Sequence, residues 1–113
     1  MPYNLALADR VRIALGPRSD LVEQKMFGGL AFMLGGKICC GVIREDLVVR
    51  VGPHRYEEAL AHPDARVMDF TGRPMRGYVF VKAAGCASVV LVEPWILQGI
   101  RCVEDLKGGS RGG

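Results

Sequence analysis

Three short β-prone runs joined by very short links constrain this chain more than any other feature. Residues 30–34 (Leu-Ala-Phe-Met-Leu), 38–43 (Ile-Cys-Cys-Gly-Val-Ile) and 47–51 (Leu-Val-Val-Arg-Val) are separated by Gly35-Gly36 and by Arg44-Glu45-Asp46. A parallel connection needs a crossover of a dozen residues or more, so links this short dictate an antiparallel meander. Gly35-Gly36 is a hairpin signal, because glycine enters the positive-φ conformations that tight hairpins demand. In the third run Leu47, Val49 and Val51 face one way, Val48 and Arg50 the other.

The rest of the chain arranges itself around that meander. Asn4 is a good N-cap, and Leu7, Val11 and Leu15 follow at helical spacing, so a helix is expected over 4–15, stopped by Gly16-Pro17. Residues 21–25 read as one further helical turn. Gly52-Pro53 ends the meander and opens a short helix with Tyr56, Ala59 and Leu60 on its apolar side, closed by His62-Pro63. Residues 67–70 and 78–81 read as two more strands. Val92, Ile96, Ile100 and Val103 recur at helical spacing and predict a helix over 93–106, with 86–92 left open because Pro94 would kink a helix begun at Ser88. The expected organisation is one α+β domain over 1–107 and a flexible tail over 108–113, which is mostly glycine.

Composition sets the compartment and narrows the partners. Half of the residues are hydrophobic and mean hydropathy is +0.18, so much of the apolar surface must be buried, or else part of it is covered by a partner. A net charge of +3 is mild beside the basic composition of a dedicated nucleic-acid binder. The start of the chain lacks a signal-peptide pattern and no apolar run approaches a membrane span, so a cytoplasmic protein without membrane contact is expected. Of the four cysteines, Cys39 and Cys40 are adjacent and no CxxC occurs. Neither a disulfide nor bound zinc is expected, and one of the two adjacent cysteines should point inward. A nucleophilic thiol needs a nearby base, and nothing in the sequence brings His54 or His62 to one.

No cluster reads as a catalytic centre, and neither a metal nor a cofactor is expected. The block from Thr71 to Gly77 is richer. Pro74 stiffens it and Arg73 and Arg76 flank it, so with Arg50 they make a candidate patch for a carboxylate or phosphate. The alternative is an arginine paired inside the fold with Asp69 or Glu45. Arg73, held extended before Pro74, suits the structural role; Arg76, beside Gly77, suits the exposed one. Arg50 by itself marks the solvent face of the meander. Trp95 and Ile96 form a candidate dimer face, and the alternative for Trp95 is ordinary core.

Two motif blocks carry a family resemblance. Met26-Phe27-Gly28-Gly29-Leu30-Ala31-Phe32 with the following hairpin and Leu47-Val48-Val49-Arg50-Val51-Gly52-Pro53, and Met68-Asp69-Phe70-Thr71-Gly72-Arg73-Pro74-Met75-Arg76-Gly77-Tyr78-Val79, resemble the N-terminal domain of the TfoX/Sxy proteins over about residues 20–106. The resemblance implies a secretion-chaperone-like α+β fold: an antiparallel sheet, the three-strand meander plus two later strands, packed with the N- and C-terminal helices. It also implies a regulatory role, since full-length relatives regulate competence genes with the cyclic-AMP receptor protein and carry a second, C-terminal domain. This chain looks like a stand-alone copy of the first. The expected function is a non-enzymatic regulatory or adaptor module acting through contact with an unknown protein partner, with a homodimer as one form. The alternative is a nucleic-acid-associated regulator that contacts phosphates through Arg50, Arg73 and Arg76.

Overall fold

The computed structural model describes residues 3–26, 28–69 and 75–112, with side chains described as far as Leu106. Helix α1 spans Leu5–Leu15 and is capped as its sequence dictates. The Leu7 N–H donates to Asn4 Oδ1 at 2.9 Å, and the Gly16 N–H donates to the Arg12 carbonyl at 3.0 Å. Strands β1 (Leu21–Met26), β2 (Gly29–Leu34), β3 (Lys37–Ile43) and β4 (Asp46–Arg50) follow as a meander of antiparallel pairs. Helix α2 is short, Tyr56–Leu60, with Pro53 in the turn that precedes it. Strands β5 (Ala65–Val67) and β6 (Tyr78–Val81) come next, then a 3₁₀ turn at Ala83–Cys86 and helix α3 at Val89–Gly112. The sheet order is β1-β2-β3-β4-β6-β5, and every pairing between these strands is antiparallel.

Four local expectations need correction. Residues 21–26 form a strand and no helical turn: Glu23, Gln24 and Lys25 are good helix formers, but Gly28, at φ +72, turns the chain so that Met26 meets Gly29 and the ladder to β2 wins. The strand expected at 67–70 lies at Ala65–Val67, where it pairs with β6; Met68 and Asp69 fall beyond it and Phe70 lies outside the described residues. Helix α3 begins at Val89, its start marked by Ser88, whose Oγ accepts the Leu91 N–H at 3.3 Å. Pro94 then sits inside the helix, in its second turn. At the other end α3 runs on to Gly112, into the segment read from composition as a tail.

All three helices pack on one face of the sheet. Leu7, Val11 and Leu15 of α1, Tyr56 and Ala59 of α2, and Val92, Trp95, Ile96 and Val103 of α3 enclose Phe32, Val42, Leu47, Val49, Val79 and Val81. The other face carries a small cluster of Val48, Met68 and Phe80, with Ile43 and Tyr78 packed beside it. Among the described residues no helix residue belongs to that cluster.

Candidate interaction surface

The helix-free face is assembled by strand alternation. Starting from the residues that point at the helices, the opposite parity places Val22, Gln24 and Met26 of β1, Ala31 and Met33 of β2, and Ile38, Gly41 and Ile43 of β3 on the open side. Val48, Tyr78 and Phe80 continue it across β4 and β6. Ala31 pairs with Gly41 in the middle of this face, and two such small residues leave an apolar hollow of about 30 Å³. Met26, Ile38, Ile43, Met68, Met75 and Tyr78 stand around it. Of the five methionines in the chain, Met26, Met33, Met68 and Met75 lie on this side. Methionine is unbranched and polarisable, so it adapts to the shape of whatever packs on it.

The candidate arginines meet this surface differently. Arg50 is half-buried; its guanidinium lies 5.4 Å from the centre of the Tyr78 ring and Nη1 donates to the Ile38 carbonyl at 3.3 Å. Burial raises the Tyr78 phenol above its ordinary value, and Arg50 opposes that shift. Arg76 is exposed, as its place beside Gly77 suggests, and stacks at 5.5 Å on Tyr56, which belongs to the helix-side core. Arg50 and Arg76 are thus committed to rings on opposite faces. Arg73 lies outside the described residues. Sequence reasoning missed Arg66, which stacks on Phe80 at 4.8 Å and pairs with Asp46 at 2.6 Å. Arg66 stands opposite Phe80 in the β5–β6 ladder, a pairing that only the correct strand bounds reveal. Of the two carboxylates expected to hold an arginine, Glu45 accepts instead from Asn4 Nδ2, and Asp69 adds to the field that raises the Arg66 pKa.

The expected dimer face is not at the surface. Trp95 is 6% exposed, edge-on to the His62 ring at 5.2 Å, and Ile96 is more deeply buried still. The apolar stripe of α3 is consumed by the chain's own core. A concavity of about 470 Å³ between α2 and α3 is bordered by Trp95, His62, Arg55, Pro94 and Val90.

The thiols correct a further expectation. Cys39 and Cys40 are both fully buried on the helix side. A β-bulge explains it: Phe32 pairs with Cys40 while Met33 pairs with Ile38, so Cys39 is an extra residue and the alternation slips by one there. Helix α3 closes over the bulge at Gly99, where a Cβ would lie 2.6 Å from the Cys39 carbonyl oxygen. The Cys40 thiol is held well above its ordinary pKa by its hydrogen bond with Cys39 and by burial, and burial also raises Cys86 and Cys102. At neutral pH these three are protonated and poor nucleophiles. Among the described residues no group of three or more His, Cys, Asp or Glu side chains is placed to hold a metal, and no helix is long and apolar enough to cross a membrane.

An open antiparallel sheet whose described helices all lie on one face places this protein among the small α+β domains. The chain belongs to the TfoX N-terminal domain family, whose profile matches residues 14–103. No curated protein and no solved structure matches it significantly.

Proposed function

We propose that this chain is a non-enzymatic regulatory or adaptor module acting through protein–protein contact, with the helix-free face of its sheet as the contact surface. The observation that carries the reading is the face itself. Val22, Met26, Met33, Ile38 and Ile43 lie exposed or half-buried there, while Phe32, Leu34, Cys39 and Val42, each one position from Met33, Ile38 or Ile43, are buried in the core under the helices. Apolar surface removed from water contributes about 25 cal/mol per Å², and adaptable methionines suit a partner that brings apolar side chains of its own. Membership of the TfoX N-terminal family favours a process linked to transcription or competence regulation. We place the protein in the cytoplasm, where buried cysteines such as Cys40 and Cys86 stay thiols. The phosphate-gripping alternative is weaker, since Arg50 and Arg76 are stacked on rings of opposite faces.

Affinity capture from the native cell with three baits tests this. Met33→Lys and wild type differ on the open face, and Val90→Lys serves as control because Val90 is 74% exposed on α3. The expected outcome is a partner retained by wild type and Val90→Lys and lost by Met33→Lys, with nearly superimposable melting curves. Loss confined to Val90→Lys moves the contact to α3.

A further inference from the structure

The sheet ends in two unlike edges. β5 is three residues long, whereas β1 is six, contains no proline, and keeps unbroken register with β2 from Leu21 to Met26. Alternate N–H and C=O groups of an edge strand point away from its sheet, and proteins commonly blunt such edges with a bulge, a proline or short length. Among the described residues β1 has a strand neighbour on one side only and none of these three devices; its one guard is charge, at Glu23 and Lys25, and those two are of opposite sign. Residues Val22 to Lys25 are all exposed. Val22, at 57%, is the one exposed large apolar side chain that lies in a strand among the described residues.

We propose that β1 pairs with itself: two copies of the chain join β1 to β1, antiparallel about a two-fold axis at Gln24, and fuse their sheets into one. The charges select this register. A two-fold axis perpendicular to the sheet keeps both sets of helices on the same side, so residues brought opposite one another share a face. Centres at Glu23 and Gln24 satisfy that condition and pair five of the six residues of the strand, whereas a centre at Lys25 pairs three. Centring on Glu23 sets Glu23 against its own copy, and centring on Lys25 does the same with lysine; like charges directly opposite are destabilising. Centring on Gln24 sets Glu23 opposite Lys25 of the second copy, and Lys25 opposite its Glu23. On the other face Val22 meets Met26. The segment Val22-Glu23-Gln24-Lys25-Met26 is therefore complementary to itself when reversed, as a two-fold contact requires.

Glu23 is well placed for this. Arg12 Nε and Nη2 donate to its carboxylate at 2.7 and 2.8 Å and hold it at the edge, and an ionised carboxylate has acceptor sites left for a lysine. The dimer supplies the self-contact that Trp95 and Ile96, buried in the core, do not. It touches the open face only at its margin, where Val22 meets Met26, and leaves Met33, Ile38 and Ile43 uncovered, so it stands independently of the partner contact proposed above.

The test is the solution mass of the full chain by sedimentation equilibrium, with circular dichroism to confirm folding. Wild type is expected to approach the mass of two chains as its concentration is raised through about 10–100 µM, the range that reads a Kd in the micromolar region. Lys25→Glu sets carboxylates against each other at both contacts and should halve the mass, and Glu23→Lys should do the same with ammonium groups. Mixing the two variants restores opposite charges at both contacts, so the mass should return to two chains as a heterodimer. Lys25 has no ion pair among the described residues, so Lys25→Glu remains informative even if Glu23→Lys, which strips Arg12, does not fold. Wild type at the mass of one chain throughout this range, Lys25→Glu that stays dimeric, or two folded variants that fail to recombine each overturn the proposal.

Discussion

The two faces of this sheet are made by the same strands and do different things. On β4, Val49 points into a core closed by three helices, and its neighbour Val48 points into a cluster of three residues with no helix over it. The covered face is dominated by branched aliphatics with Phe32 at its centre; the open face holds Met26, Met33, Met68 and Met75. Rigid, branched side chains specify one packing, and flexible unbranched ones accept several. Most of the folding free energy therefore resides on one side, and the packing of the other is less strictly specified.

That contrast is measurable. Phe32→Ala removes a ring with no exposure from the covered face and should cost about 3–5 kcal/mol, read from urea midpoints. Phe80→Ala removes the equivalent ring from the open face, where it is 8% exposed beside a shallow cluster; because the site can collapse or admit water, about half that loss is expected. Equal losses would break the comparison.

A smaller effect concerns pH at the edge of the covered face. Hydrogen bonds from Arg12 hold the Glu23 carboxyl below its ordinary range, so the folded state gives up this proton more readily than the unfolded one. The stabilisation is present above the ordinary carboxylate value and fades as pH falls through the lowered one. Arg12→Gln should lower urea midpoints at neutral pH and flatten their fall toward acid, the two curves converging at the acid end. Both partners are about a third exposed, so the difference should stay under about 1 kcal/mol. The smallest stability change belongs to Met33→Ser, within about 0.5 kcal/mol as for half-exposed positions generally, although it should still weaken partner capture.

What the sequence revealed divides along the same line. β2, β3 and β4 were legible because their short links and apolar runs allow one topology, and α1 because Asn4 and Gly16 punctuate it. β1 was hidden: Val22 to Lys25 have both sides exposed, so no periodic signal survives, and its identity comes from the partner strand. The adjacent cysteines concealed the bulge, since two identical residues give no cue to a slip in alternation. Trp95 shows a different limit. Helical periodicity establishes that α3 has an apolar stripe, but whether the chain itself or a second molecule covers that stripe is decided by distant residues such as Val49 and His62. Arg50 was correctly placed opposite Leu47 and Val49, but its stacking on Tyr78 joins β4 to a strand far along the chain.

The bulge at Cys39 also bears on which changes in chain length this fold tolerates. Lys37 and Ile38 pair with β2 in the register they would hold if Cys39 were absent, and so do Cys40 to Val42. Cys39 is a residue that the ladder does not count. Deleting a residue from the regular run of β4 would turn part of that strand inside out, carrying valines into water and Arg50 toward the core. A deletion at Cys39 would leave every other side chain of β3 on its present face and relieve the close approach of α3 at Gly99. Within a sheet where register is otherwise strict, this is the one described place where the chain can lose a residue without changing sides.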